Sequence, residues 1–248
     1  MKQYGLIGFP LGHSFSKGYF SEKFARENIR DAQYENYPLQ SLDKLGDLLR
    51  DHPFLEGLNV TIPHKVSVIT YLDALHQEAR EIGAVNCIRI RDHKMTGFNT
   101  DHTGFAQSLA PLLRPFHQKA LILGTGGSSK AVAYALRKMG LEFLFVSRKK
   151  QFHRIITYDE VDESLLRDFL VIINTTPVGM FPDISSSPDL PYHYLTNRHI
   201  LFDLIYNPEE TIFLKQGRTH GSICHNGAEM LAMQAEASWK IWNEGNLP

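Results

Sequence analysis

Ala120-Leu121-Ile122-Leu123-Gly124-Thr125-Gly126-Gly127-Ser128-Ser129 is the stretch whose reading decides the fold. Four apolar residues in a row read as a strand buried on both faces. Glycines at 124, 126 and 127 follow at once, and apolar residues then recur at helical spacing from Ser129 to Met139, where Gly140 ends the pattern. Strand, glycine-rich turn and helix, in that order, form the context in which main-chain amides at a helix start hold a pyrophosphate. Glycine permits the tight turn and lets the backbone approach the anion closely. The dinucleotide pattern is met at Gly124 and Gly126, and Ser129 stands at the third position, where Gly or Ala is usual. An ordinary strand-to-helix turn would use similar residues, so a second signal is needed.

That signal lies at the end of the next strand, about twenty residues on, where a carboxylate would hold the ribose hydroxyls of NAD. The chain reads Val146-Ser147-Arg148-Lys149-Lys150 there, with no acid and a cluster of cations suited to a 2′-phosphate. The expected cofactor is NADP. Its candidate contacts are Gly124, Thr125, Gly126, Gly127 and Ser128 in the turn, and Ser147, Arg148 and Lys149 at the strand end. A further loop, Asn174-Thr175-Thr176-Pro177-Val178-Gly179-Met180, leaves the carboxyl end of a strand, the edge where open α/β sheets bind ligands.

Working outward, short apolar runs alternate with amphipathic segments along the whole chain, the pattern of α/β domains with mainly parallel sheets. Strands are expected at Gly5–Gly8, Gln33–Pro38, Leu58–Thr61, Leu141–Val146, Leu170–Asn174 and Ile200–Leu204, and helices at Phe15–Asn28, Leu42–Arg50 and Gly227–Asn243. Val85–Arg91 and Lys94–Phe98 read as a hairpin joined at Asp92-His93, after which the chain enters Asn99-Thr100-Asp101, the expected domain crossing. Pro63 is expected to open a helix.

The 248 residues fit two domains of ordinary size, and 43% apolar with 21% charged residues is globular usage, which excludes disordered and fibrous classes. A net charge of −1 argues against nucleic acid or an acidic membrane as partner, and no run reaches the roughly 18 apolar residues of a membrane span. Met1-Lys2-Gln3-Tyr4-Gly5 leads into a strand-like segment without the apolar stretch of a secretory signal. Two cysteines, Cys87 and Cys224, make no disulfide scaffold, and neither they nor the twelve scattered histidines show metal spacing, so no metal and a cytoplasmic location are expected.

The first half carries the polar residues that a small hydroxylated acid would need. Ser14 and Ser16 lie in Gly12-His13-Ser14-Phe15-Ser16 beside a helix start, where hydroxyls suit a carboxylate but equally cap the helix. In Leu58-Asn59-Val60-Thr61-Ile62-Pro63-His64-Lys65, Asn59 and Thr61 share a strand face, and Lys65 is expected in the first turn of the helix begun by Pro63. A cation there opposes the helix macrodipole, which singles Lys65 out as functional. Asn86, Asp101 and, on the terminal helix, Met230 and Gln234 four residues apart complete the inventory.

Taken in order, Ile7-Gly8-Phe9-Pro10, His13-Ser14-Phe15-Ser16, Asn59 to Lys65, Gly83-Ala84-Val85-Asn86, Gly97 to Asp101, the glycine turn, Asn174 to Met180, Asp203-Leu204-Ile205-Tyr206-Asn207-Pro208 and Asn226 to Gln234 resemble the shikimate dehydrogenase family over nearly the whole chain. The resemblance implies reversible NADPH-dependent reduction of 3-dehydroshikimate to shikimate on the way to chorismate and aromatic amino acids. It implies Lys65 and Asp101 as the catalytic pair, Ser14 and Ser16 on the substrate carboxylate, and Thr61, Asn86, Tyr206 and Gln234 as further substrate contacts. Thr175, Thr176, Gly227 and Met230 join the cofactor set. It further implies a substrate domain of residues 1–101 plus 226–248, an NADP domain of residues 102–225, and catalysis in the cleft, in a monomer or homodimer. Departures are Lys17 for the usual Pro, Tyr19-Phe20 for a His-Asn pair, and Ser147-Arg148-Lys149 for Asn-Arg-Thr. The alternatives are a quinate/shikimate dehydrogenase, a folate dehydrogenase of like architecture, and a silent NADP sensor of the same fold.

Overall fold

The computed structural model describes residues 1–12, 15–149 and 154–243. Ser14 and Lys150, both singled out above, lie outside them. The chain divides into two compact units, one of residues 1–100 and 234–248, the other of residues 101–233.

The first unit runs β1 (Lys2–Gly8), α1 (Phe15–Arg26), β2 (Ala32–Pro38), α2 (Leu45–Asp51), β3 (Leu55–Val60), β4 (Ala74–Leu75), α3 (Gln77–Ile82), β5 (Cys87–Arg91) and β6 (Lys94–Phe98). Its sheet has the order β2-β1-β3-β5-β6-β4. β1 pairs in parallel with β2 and β3, while β5 lies antiparallel to β3 and β6. The hairpin turns at Asp92 and His93, whose φ of 49° and 61° give the mirror-image turn that suits the strands' right-handed twist.

One face of the sheet is aliphatic, with Ile7, Leu45, Leu58, Val60 and Ile88 buried together. The other is aromatic: Tyr4, Phe20, Phe24, Tyr34 and Trp242. Phe20, one of the departures from the family pattern, stacks on Tyr34 with ring centres 4.5 Å apart. Its neighbour Tyr19 packs edge-on against it and donates to the Glu236 carboxylate.

The helix expected from Pro63 does not form. The His64 amide closes a turn on the Thr61 carbonyl at 2.9 Å, and only a 3₁₀ segment, Ser67–Tyr71, follows. A helix through Lys65 would need its carbonyl to accept from the amide four residues on. That carbonyl accepts instead from the Val85 amide at 2.7 Å, a partner in the connection between α3 and β5.

The second unit runs α4 (Asp101–Leu109), β7 (Lys119–Leu123), α5 (Gly127–Lys138), β8 (Glu142–Ser147), β9 (Ile155–Thr157), α6 (Glu163–Asp168), β10 (Val171–Asn174), β11 (Ile200–Asp203), α7 (Ile212–Thr219) and β12 (Ile223–His225). The last helix, α8 (Ala228–Asn243), begins in this unit and ends in the first.

Six parallel strands lie in the order β12-β11-β10-β7-β8-β9. Counted from β7, this is the 3-2-1-4-5-6 order of the doubly wound dinucleotide fold, which reverses between β7 and β10. β10 and β11 are buried throughout, as continuous apolar runs require when helices cover both faces. Gly140, at φ 78°, ends the α5 segment, with the Leu141 amide bonded back to the Leu136 carbonyl.

Candidate functional site

In the first unit, residues remote in sequence meet in one buried polar array. Asn59, on β3, donates to the Asn86 carbonyl at 3.2 Å and to the Ser238 hydroxyl at 2.9 Å, and accepts from the Tyr34 phenol at 2.9 Å. The Asn86 side-chain amide donates to the Thr100 hydroxyl at 2.9 Å and to Gln234 Oε1 at 3.2 Å, and its Oδ1 accepts from the Thr100 main chain at 2.6 Å. Ser238 lies 3.1 Å from the Thr100 hydroxyl and donates to the Gln234 carbonyl. Ser16 is buried in the first turn of α1, with its hydroxyl in reach of the Tyr34 phenol, whose ionisation burial pushes well above the ordinary range. A buried polar group left unpaired costs about 1–3 kcal/mol, so members of such an array hold one another in place.

The array brings together three of the expected substrate residues, Ser16, Asn86 and Gln234. Sequence reasoning noted Thr100 as a hydroxyl beside Asp101 without assigning it a contact, and missed Tyr34 and Ser238. Ser238 had a signal, since it follows Gln234 by four residues and shares its helix face. Tyr34 had none, because a tyrosine in a strand is as readily core.

Thr61 follows β3, with its amide on the Ile7 carbonyl at 2.9 Å and its methyl filling the space beside Gly8. Lys65 is partly exposed in the irregular segment before Ser67, so no helix dipole opposes its charge. Asp101 is buried and opens α4, where a carboxylate is favoured by the helix amides.

In the second unit, the glycine turn and the Asn174 to Val178 loop leave β7 and β10, the two strands between which the order reverses. Gly124 has φ 102°, and a Cβ there would lie 2.9 Å from the Thr176 methyl, so only glycine fits. α5 starts at Gly127 with no side-chain cap and no acid in its first turn, leaving amides for an anion. Ser129 is fully buried and donates to the Gly126 carbonyl at 2.6 Å, which explains how a serine replaces the third small residue. Thr125 and Gly126 are exposed, and Ser128 half-buried. Ser147 ends β8, and Arg148 and Lys149 follow it into solvent with no carboxylate at the strand end. Glycine cradle, bare helix start and paired cations fit a dinucleotide with an extra phosphate.

Thr175 donates to the Leu123 carbonyl at 2.6 Å and Thr176 to Asn174 Oδ1 at 2.6 Å. Tyr206 is half-buried beyond β11. Gly227 presses on the Leu204 carbonyl so closely that a Cβ would lie 2.1 Å from its oxygen. Met230 packs in the unit's core beside Phe202. The buried Asp203 carboxyl, held by Asn174, Thr211 and the Ile205 amide, is lifted by burial from 3.8 to about 6. Among the described residues, no three His, Cys, Asp or Glu side chains group as a metal site would require, and no helix is long and apolar enough to cross a membrane.

Residues 6–88 match the family described as the shikimate dehydrogenase substrate binding domain. A shikimate dehydrogenase (NADP(+)) of Clostridium beijerinckii is 38% identical over all of this chain and 94% of its own length. The structure of shikimate 5-dehydrogenase from Thermus thermophilus in complex with NADP(H) and shikimate superposes with a TM-score of 0.86 at 32% identity, covering 100% of this chain and 95% of that one. Shikimate dehydrogenase 1 from Peptoclostridium difficile gives 0.85 at 36% identity, over 100% and 94%.

Proposed function

The chain belongs to the shikimate dehydrogenase family, and from that premise we propose that it reduces 3-dehydroshikimate to shikimate with NADPH, reversibly. The observation that carries the substrate is the buried array of the first unit. Asn86 and Gln234, 148 positions apart, meet at 3.2 Å with Ser16 on the same hydrogen-bonded system, and rigid polar groups of this kind suit a ring bearing several hydroxyls. We assign the buried polar array that holds the substrate ring to the unit of residues 1–100 and 234–248, and the dinucleotide turn to that of residues 101–233.

In this reading Ser14, Ser16, Thr61, Asn86, Tyr206 and Gln234 bind and orient the substrate. When bound, NADPH would supply the hydride that a ring ketone needs. Lys65 stabilises the oxygen on which charge develops and delivers a proton to it, while the Asp101 carboxylate steadies the lysine and a neighbouring substrate hydroxyl. The segment holding Lys65 is anchored by its own carbonyl, which accepts from the Val85 amide at 2.7 Å. The α5 start with Gly124, Thr125, Gly126, Gly127 and Ser128 receives the pyrophosphate, Ser147, Arg148 and Lys149 the 2′-phosphate, and Thr175, Thr176, Gly227 and Met230 the rest of the cofactor. Neither Cys87 nor Cys224 forms a disulfide, which supports a reducing, cytoplasmic setting.

The test is NADPH formation, followed by absorbance, on adding NADP with shikimate or with quinate to the purified protein. Turnover with shikimate well above that with quinate is expected. Nucleotide binding without turnover of either would favour a silent sensor.

A further inference from the structure

We infer that Asp203 and Asn174 are the positioning residues of the cofactor loop, the pair that fixes how Thr175 and Thr176 are presented to the dinucleotide. The inference rests on the NADP reading of this unit.

Asn174 and Asp203 are the last residues of β10 and β11 and lie opposite each other in the parallel register, both fully buried. An ionised carboxylate can only accept hydrogen bonds. Asp203 Oδ1 accepts from Asn174 Nδ2 at 3.0 Å and from the Ile205 amide at 3.1 Å, and Oδ2 accepts from the Thr211 hydroxyl at 2.6 Å. The amide nitrogen of Asn174 therefore faces Asp203, with a longer second bond to the Val178 carbonyl at 3.4 Å, and its oxygen faces Thr176. There it accepts from the Thr176 amide at 3.0 Å and the Thr176 hydroxyl at 2.6 Å, and the Thr176 oxygen in turn accepts from the Val178 amide at 3.2 Å. The carboxylate is the nearer of the two acceptors on the Asn174 nitrogen, and with the Thr176 amide it fixes the polarity of the bonds out to Val178.

The consequence for the cofactor is specific. Thr176 has its hydroxyl proton on Asn174, and Thr175 has its own on the Leu123 carbonyl. Both threonines face the dinucleotide as acceptors, suited to ribose hydroxyls or a carboxamide N–H, and not as donors to phosphate. The Thr176 methyl also abuts the space where a Cβ on Gly124 would lie, so the same pair shapes the glycine turn.

A buried carboxylate is a costly way to supply an acceptor, and all three of its donors are neutral. Facing it from another element is the phenol of Tyr192, whose ionisation is opposed by burial and, to a smaller extent, by this charge. An asparagine in its place would keep its oxygen on the Ile205 amide and offer Asn174 only a neutral acceptor, a weaker anchor than the carboxylate. The charge therefore strengthens the bond that holds Asn174 in place.

Asp203→Asn in the full-length chain separates positioning from mere structure. Without the buried charge the fold should be at least as resistant to heat and urea at neutral pH, while NADP affinity by titration calorimetry should fall three- to tenfold with shikimate KM within twofold. Asn174→Asp gives a second reading. Two facing carboxylates should weaken NADP binding at least tenfold near pH 8 and recover most of it near pH 6, where one proton is shared. NADP affinity within twofold of wild type in both variants would overturn the inference. So would a loss of NADP affinity that tracks a loss of stability and of shikimate affinity. Because the readout is NADP binding, failure of the wild type to turn over shikimate would count against the proposed reaction alone.

Discussion

Lys65 is the residue on which the proposed chemistry turns, and its surroundings differ from those its sequence context implied. Pro63-His64-Lys65 reads as a helix start, yet the lysine carbonyl is drawn to Val85 and the ammonium sits in irregular chain. Its role therefore does not depend on a helix dipole. Lys65→Ala should lower kcat by roughly 10²–10⁴, the range for losing a positioned proton donor, with a smaller rise in shikimate KM; steady-state kinetics reads both. Asp203 makes a second prediction at this scale. Its folded value is raised from 3.8 to about 6, so the neutral form is favoured in the fold. The stability from that preference is fully present below pH 3.8 and is lost as pH rises through about 6, a loss of roughly 3 kcal/mol. Urea denaturation of wild type and Asp203→Asn should converge near pH 4 and diverge in favour of the variant by pH 7. Groups common to both proteins cancel in the comparison.

At the scale of elements, the turn after β8 is the proposed point of choice between two cofactors, by charge. Arg148 and Lys149 are exposed there and no acid accompanies them. Arg148→Ala should cost about 1–3 kcal/mol of NADP binding, with Lys149 compensating in part, and leave NAD almost unchanged. The preference for NADP should fall by about one to two decades, as KM values for both cofactors will report. An equal loss for NAD would move Arg148 from the 2′-phosphate to the adenine or the fold. β7 with its glycine turn and helix was legible because buried parallel strands are written as unbroken apolar runs and because glycine at 124 has no substitute. The short helices α3, α6 and α7 and the edge strands β9 and β12 were not, since six to eight residues carry too little periodicity to separate helix from loop.

For the whole molecule, the first unit is completed by the far end of the chain. Trp242 is buried against Tyr4 with ring centres 4.9 Å apart, donates to the Ile88 carbonyl at 2.9 Å, and occupies the space beside Gly57 where a Cβ would lie 2.3 Å from its indole nitrogen. Trp242→Ala should cost about 3–5 kcal/mol, seen as a lower urea midpoint, and should weaken shikimate binding more than NADP binding, because Gln234 and Ser238 share that helix. The α/β class, the Rossmann-like second unit and NADP as cofactor were legible in the sequence by itself, and the polar residues of the proposed site were named from it. Each rests on local rules of strand burial, glycine conformation and the sign of charge at a turn. Only the tertiary structure decided where the Lys65 carbonyl bonds, how Asn59, Thr100 and Ser238 lock Asn86 to Gln234, and which way the Asn174 amide points. Those outcomes depend on partners dozens to more than a hundred residues away, and a hydrogen bond between remote groups leaves no period or spacing in the chain that makes it.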